Sequence, residues 1–367
     1  MGSSRSLLLV LAALAATAAA PAAASAALPK LVIRTDGKVA DGPKRDGRME
    51  IRNVRTGYEG RIGIELRGTS SLRFAKKSYA VETRFARGDE GRAVSLLGLP
   101  READWVLGSA YADATLMRNV VGYQLARRLG RPAPRTRFVE LVLNGDYKGL
   151  YVLTERPRPA RGAALLEQSD TPEDFPAAVS PRHYAYYDPA KDELSKREER
   201  GLADAVHAAE RALYGLGGVW REHIDEMAAV DYVLLQELLK NQDAFSRSTF
   251  LELRRRAPLR LGPLWDLDRA MGDRHAGERA GPTGWITADR PWGHRFLGDA
   301  NFVHALVRQR RASRMCAPLA QRRLARAPGR GPTAAGVAAR PGRLDRREHR
   351  RAAPRWVGRL RLCSPAV

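Results

Sequence analysis

The first 315 residues contain no cysteine, and both cysteines, Cys316 and Cys363, lie near the C-terminal end. The body of the chain therefore depends on no disulfide framework, and nothing in the spacing argues for or against a bridge between the two. Beyond residue 26 no apolar run approaches the roughly 20 residues that a membrane-spanning helix requires. The seven histidines are scattered without zinc-binding spacing. Neither a serine-nucleophile elbow nor a dinucleotide-binding glycine fingerprint is present. No internal repeat is visible. Lysine is missing from residues 301–367, where 17 arginines meet only two acids, Asp345 and Glu348.

What is present begins with a leader. Arg5 supplies a positive start, Leu7 to Ala19 an apolar run, and Ala24-Ser25-Ala26 a small-residue cleavage site, the pattern of a secretory signal peptide cut between Ala26 and Ala27. The expected location is extracytoplasmic. The net charge of +22 is carried mostly by the last 67 residues, so a nucleic-acid or anionic-polymer reading rests almost wholly on that segment. Rich in Arg, Ala, Pro and Gly, it is read as a disordered tail or as translation in a shifted frame of a GC-rich gene. The break then falls near Arg308 to Arg314, where a helical pattern on Phe302, Leu306 and Val307 fades. No aromatics interleave with the basic residues as a specific nucleic-acid module requires.

The 44% hydrophobic content over 367 residues suits one large or two ordinary domains. LVIRT (31–35), RIGIELRG (61–68) and SYAVETR (78–84) alternate as strands do. Asp113 can cap a helix with Met117, Val121, Leu125 and Leu129 on its apolar face and Gly130 at its end. RFVELVLNGDYKGLYVLTE reads as two strands around an Asn144-Gly145 hairpin turn. Residues 156–200, rich in Pro, Arg, Asp and Glu, read as a long, partly irregular connection. Helices are expected over about 201–214 and 229–240, the latter with Val230, Leu234, Leu235, Leu238 and Leu239 on one face. STFLELR and LRLGPLWDL follow as strand candidates joined by RRRAP, the second delivering Asp266 at its end. The class is α+β.

Five ordered pieces carry a resemblance: RGTSSLRFAKKSY (67–79), LLGLPREADWVLGSAYADATLMRN (96–119), APRTRFVELVLNGDYKGLYVLTE (133–155), ELLKNQDAF (237–245) and GPLWDLDRAMG (262–272). Together they resemble the CotH kinase family, atypical protein kinases typified by a bacterial spore-coat protein. The resemblance implies a two-lobed kinase-like domain over 27–300, with an antiparallel sheet in an N-lobe (27–155), the connection 156–200, and a mixed helical C-lobe (201–300). It also implies ATP and Mg²⁺ or Mn²⁺ as cofactors and a protein acceptor bearing Ser or Thr.

Phosphoryl transfer needs a metal held by carboxylates, a cation on the phosphates and a group that orients the attacking hydroxyl. By that resemblance Asp266 is the first metal ligand, and Asp268 either shares the metal or caps the turn. Asp243, between a helix and a hairpin, is the candidate catalytic base or second metal-site carboxylate. Ordinary kinases carry a metal-binding Asn five residues after the catalytic Asp; here that position is Ser248, a weaker ligand, and Asn241 is read equally as a substitute ligand or as a helix C-terminal residue. The Gly68–Ser71 turn can present backbone N–H groups to phosphate, with Lys76 ranked above Lys77 as the phosphate cation. Arg67 and Arg118 are read equally as phosphate contacts or interlobe ion pairs. Glu155 lies about where a nucleotide hinge would be, though a solvated strand end accounts for it too. Against the kinase stands a non-catalytic, kinase-shaped surface or adhesion protein, favoured by Ser248 and the short 156–200 stretch.

Overall fold

The computed structural model describes residues 27–312 apart from 56, 274–280 and 282. The leader, the segment from 313 onward and His275 lie outside the described residues. The chain runs β1 (Lys30–Thr35), β2 (Arg45–Arg52), β3 (Glu59–Arg67), β4 (Ser78–Thr83), β5 (Val94–Ser95), β6 (Arg101–Glu102), β7 (Asp104–Gly108), α1 (Arg118–Arg128), β8 (Thr136–Leu143) and β9 (Asp146–Glu155). It continues through β10 (Ala163–Ser169), β11 (Phe175–Pro176), β12 (His183–Asp188), α2 (Lys196–Leu213), α3 (Trp220–His223) and α4 (Glu226–Leu239). The last elements are β13 (Thr249–Arg254), β14 (Arg260–Leu261), α5 (Pro291–Gly298) and α6 (Ala300–Ala312).

The early strands do more than form an antiparallel sheet. They close into a barrel in the order β1-β2-β3-β4-β7-β9-β8, because β1 pairs antiparallel with β2 on one side and parallel with β8 on the other. Closure leaves no open edge. The alternating strands send Ile33, Ile64, Val81, Leu107 and Leu141 into a common interior. The β8–β9 hairpin turns at Asn144 and Gly145 with φ of 53° and 87°, the paired left-handed geometry that makes Asn-Gly a hairpin signal.

Residues 156–200, expected as a partly irregular connection, supply three strands. Leu165 and Leu166 are fully buried, and the strands join a five-stranded sheet ordered β11-β12-β10-β13-β14. The second assembly is therefore sheet and helix together, with its own hydrophobic cluster. At its centre α4 is buried nearly all round, from Ala228 to Glu237, rather than on one apolar face. Its start, three residues earlier than expected, is set by Asp225, whose carboxylate accepts the Ala228 N–H at 2.9 Å.

The expected apolar face of α1 is corrected by tertiary packing. Met117 and Val121 are 44% and 40% exposed, whereas Gly122, Tyr123 and Ala126 are buried. Although α1 lies between barrel strands in sequence, Tyr123 and Ala126 belong to the second cluster. The tail boundary at 301 also moves. Phe302 and Leu306 of α6 are buried in that cluster, and the Gln309 amide donates to Asp231 at 2.9 Å. Among the described residues no helix is long and apolar enough to cross a membrane.

Candidate active site

Two irregular segments meet at the end of α4. The helix stops where Lys240 turns left-handed, and Phe245 and Ser248 repeat that conformation in the loop that follows, with φ of 50°, 54° and 50°. Asp243 sits inside this loop. Its carbonyl accepts the N–H groups of Ser246 and Arg247, and its own N–H donates to Asn241 Oδ1 at 3.3 Å. The second segment follows β14. Asp266 is not at a strand end: the strand stops at Leu261, and Asp266 lies in irregular chain with φ 48°. Left-handed turning, not strand pleat, separates buried Trp265 and Leu267 from the half-buried carboxylates of Asp266 and Asp268. The segments are tied together by Met271 N–H to Leu239 O at 2.6 Å and Gln242 N–H to Arg269 O at 3.4 Å. Several non-glycine residues held left-handed in a short span are a local cost that the surroundings must offset, a pattern concentrated at functional sites.

The electrostatics show that Asp243 and Asp266 share one environment. Burial, followed by the charge of Asp266, pushes the Asp243 carboxyl up, against the pull of Arg247, Arg269 and Arg290. Burial likewise raises Asp266, with Arg67 the foremost opposing charge. Asp268 is pushed to about 8 by burial, Asp266 and Asp113. Glu167 of β10 rises to about 7 through burial, opposed by Arg67 and reinforced by Asp266. Burial is the leading cause in all four, with carboxylate repulsion added at Asp243, Asp268 and Glu167. Around them Arg247 bridges Asp170 at 2.5 Å and Asp243 at 3.7 Å. The Arg67 guanidinium lies over the Trp265 ring, 5.0 Å from its centroid.

Helix α1 holds the second segment. Tyr123 Oη accepts the Asp266 N–H at 3.1 Å, Asn119 Oδ1 accepts the Leu267 N–H at 2.8 Å, and Asn119 Nδ2 donates to Asp268 Oδ1 at 2.5 Å. Arg118 donates to the Asp268 carbonyl at 2.6 Å and is tied through its own N–H to the buried Asp113. Gly122 makes the approach possible: a Cβ there would lie 2.0 Å from Leu267 Cδ1.

Of the residues singled out from sequence, Arg67, Asp243, Asp266 and Asp268 share this neighbourhood. Ser248 joins it beside Glu167, whose carboxyl it pulls down against the effect of burial. Asn241 uses its side chain to close the Asp243 loop, and Arg118 supports the Asp268 backbone. Lys76 instead donates to the Leu150 carbonyl at 2.5 Å and lies 4.5 Å from the Tyr151 ring centroid, where burial lowers its pKa. Lys77 donates to the Leu72 carbonyl at 2.5 Å. Glu155 accepts from the Arg135 N–H at 2.6 Å at the close of β9. Sequence reasoning missed Glu167, Asn119, Gly122 and Tyr123. The first was hidden in the segment read as connection, and the others sat on a helix whose buried face was misjudged.

Among the described residues no three His, Cys, Asp or Glu side chains converge as a metal cage. Magnesium is ordinarily held by only one or two carboxylates together with substrate phosphates and water. Asp243, raised by burial and by the charge of Asp266, fits that donor set together with Asp266, because a cation would relieve the repulsion between them. In comparison with known families, the model described as CotH kinase protein matches residues 64–323. The match begins within the third barrel strand, takes in everything described after it and runs past the 308–314 interval. No curated protein matches.

Proposed function

The chain belongs to the CotH kinase protein family, and from that premise we propose that it is an exported atypical protein kinase. It transfers the γ-phosphoryl group of ATP to a Ser or Thr hydroxyl of a secreted or envelope protein. We read the barrel and the second assembly as its two lobes. The observation that supports this most is the approach of buried Asp243 and half-buried Asp266, carried by separate segments, close enough for the charge of Asp266 to raise Asp243.

Asp266 is the residue to hold the divalent cation, Mg²⁺ or Mn²⁺, with Asp243 beside it; the cation's contribution is to neutralise charge on the transferring phosphoryl group. Asp243 accepts the proton of the acceptor hydroxyl as that oxygen bonds to the γ-phosphorus and ADP departs. A carboxylate whose pKa is raised is the better base. Arg247 holds the Asp243 carboxylate in place from the Asp170 side. Arg67, spread over Trp265, offers its guanidinium to phosphate oxygens, the geometry in which Arg excels. Incubating the full chain with labelled ATP and a Ser-rich acceptor tests the assignment. Incorporation should be lost in Asp266→Ala and Asp243→Ala, and equal incorporation by wild type and both variants removes these roles.

A second reading, a kinase-shaped surface or adhesion protein without catalysis, is favoured by one observation. The Lys76 ammonium is engaged by the Leu150 carbonyl, away from the acidic pair. It predicts no upward shift of the melting temperature with Mg²⁺ and ATP, whereas the kinase reading predicts one.

A further inference from the structure

Four polar groups of residues 266–268 find their partners on one helix. The N–H of Asp266, the N–H of Leu267, and the carbonyl and carboxylate of Asp268 are met in turn by Tyr123, Asn119 and Arg118 of α1. Residues 119 and 123 are one helical turn apart and so stand on the same face. Asn119 uses both ends of its amide, accepting from Leu267 and donating to Asp268, which fixes the orientation of the group and requires an acceptor at position 268. Tyr123 is buried and stacks on Trp265 with ring centroids 5.9 Å apart and planes 8° from parallel. Its oxygen thus stands on a rigid base. The support matters because Asp266 is an L-residue held at φ 48°, a conformation that costs about 1–2 kcal/mol unless its surroundings stabilise it. Asp268 is held by α1 at two points: its carboxylate accepts from Asn119 at 2.5 Å and its carbonyl from Arg118 at 2.6 Å.

We propose that Asn119 and Tyr123 are positioning residues that set the orientation of Asp266, and that Asp268 is the anchor of this device rather than a ligand of the divalent cation. The ligand half of the statement rests on the kinase reading above; the positioning half does not. By this account α1, which leaves the barrel at β7 and returns to it at β8, transmits the placement of the barrel to the cation-binding carboxylate.

Two measurements on the full chain test it. Amide hydrogen exchange is followed over residues 266–268 without added metal, in wild type, Tyr123→Phe and Asn119→Ala. Tyr123→Phe keeps the ring that stacks on Trp265 and removes only the oxygen. The Asp266 amide should exchange about 2- to 10-fold faster in Tyr123→Phe, the factor that one hydrogen bond represents, and the Leu267 amide likewise in Asn119→Ala. Unchanged exchange in both variants overturns the positioning role. Mn²⁺ binding is then measured by electron paramagnetic resonance. Tyr123→Phe and Asn119→Ala should bind Mn²⁺ about 10-fold or more weakly, as expected when the group orienting a ligand is lost. Asp268→Asn, which keeps the acceptor oxygen for Asn119, should bind as wild type does, and Asp266→Asn should not bind. Equal loss in Asp268→Asn and Asp266→Asn overturns the anchor assignment. Absence of Mn²⁺ binding by wild type overturns the cation reading and the ligand half with it. Faster amide exchange in the variants would still uphold the positioning half.

Discussion

Inside the barrel the largest fully buried side chains are Trp105, Tyr151, Leu31, Ile33 and Met49, and its strands satisfy their backbone by pairing around a closed circuit. In the second assembly the interior also holds Glu210, Glu237, Asp243 and Asp273, and much of the backbone near them is irregular. Glu237, fully buried, accepts the N–H groups of Ile286 and Thr287 and the Thr287 hydroxyl, and so fastens the 284–287 segment to α4. The barrel is stabilised by apolar burial that tolerates exchange of one aliphatic group for another. The loops depend on individual acceptors, each with particular donors to satisfy.

The sharpest break in this comparison is catalytic. Asp243→Asn should lower phosphoryl transfer by about 10²- to 10⁴-fold, the range for a lost general base, with little change in melting temperature. The barrel change Ile64→Val should leave the rate alone and cost about 0.5–1.5 kcal/mol of stability. In stability, Glu237→Ala should cost about 3–5 kcal/mol in denaturant unfolding, because Lys240 and the 286–287 donors lose a buried partner. Next come two glycines. Gly122→Ala places a methyl group 2.0 Å from Leu267 Cδ1 and should cost about 1–3 kcal/mol. Gly108→Ala in the barrel meets only Val152 O at 3.7 Å, and its unfolding midpoint should barely move.

The smallest effect concerns pH. Burial would raise Asp299, but hydrogen bonds from the Arg221 guanidinium and the Trp220 indole outweigh it and bring it down to about 2. Its folded value is thus depressed below the unfolded value of about 3.9. The stability it contributes is complete above the unfolded value and is lost as pH falls through the folded one. Melting of wild type should exceed that of Asp299→Asn at pH 7, and the gap should close between about pH 4 and pH 2.

Much of the barrel was legible because alternation is a local property: β1, β3, β4 and the Asn144-Gly145 hairpin lie within a residue or two of their expected positions. Closure was not legible, since the parallel contact of β1 with β8 joins residues more than a hundred positions apart. Lys76 and Lys77 show the limit of motif reading at the site. A small-residue turn followed by lysine has the composition of a phosphate cradle, yet both ammonium groups meet nearby carbonyls. Glu167 was illegible for the opposite reason: LLEQS has no turn or motif signal, and β10 gains its importance only from its place between β12 and β13.

By itself the sequence determined the α+β class and the family, and it singled out Asp243 and Asp266 as candidates, because these follow from short-range pattern and residue type. Only the tertiary structure decided that Asp266 stands in a left-handed turn, and that Gly122, Asn119 and Tyr123 of a helix between two barrel strands hold it there. A backbone hydrogen bond to a side chain some 150 residues away leaves no trace in local composition. It exists only once the second hydrophobic cluster has packed α1 against the loop.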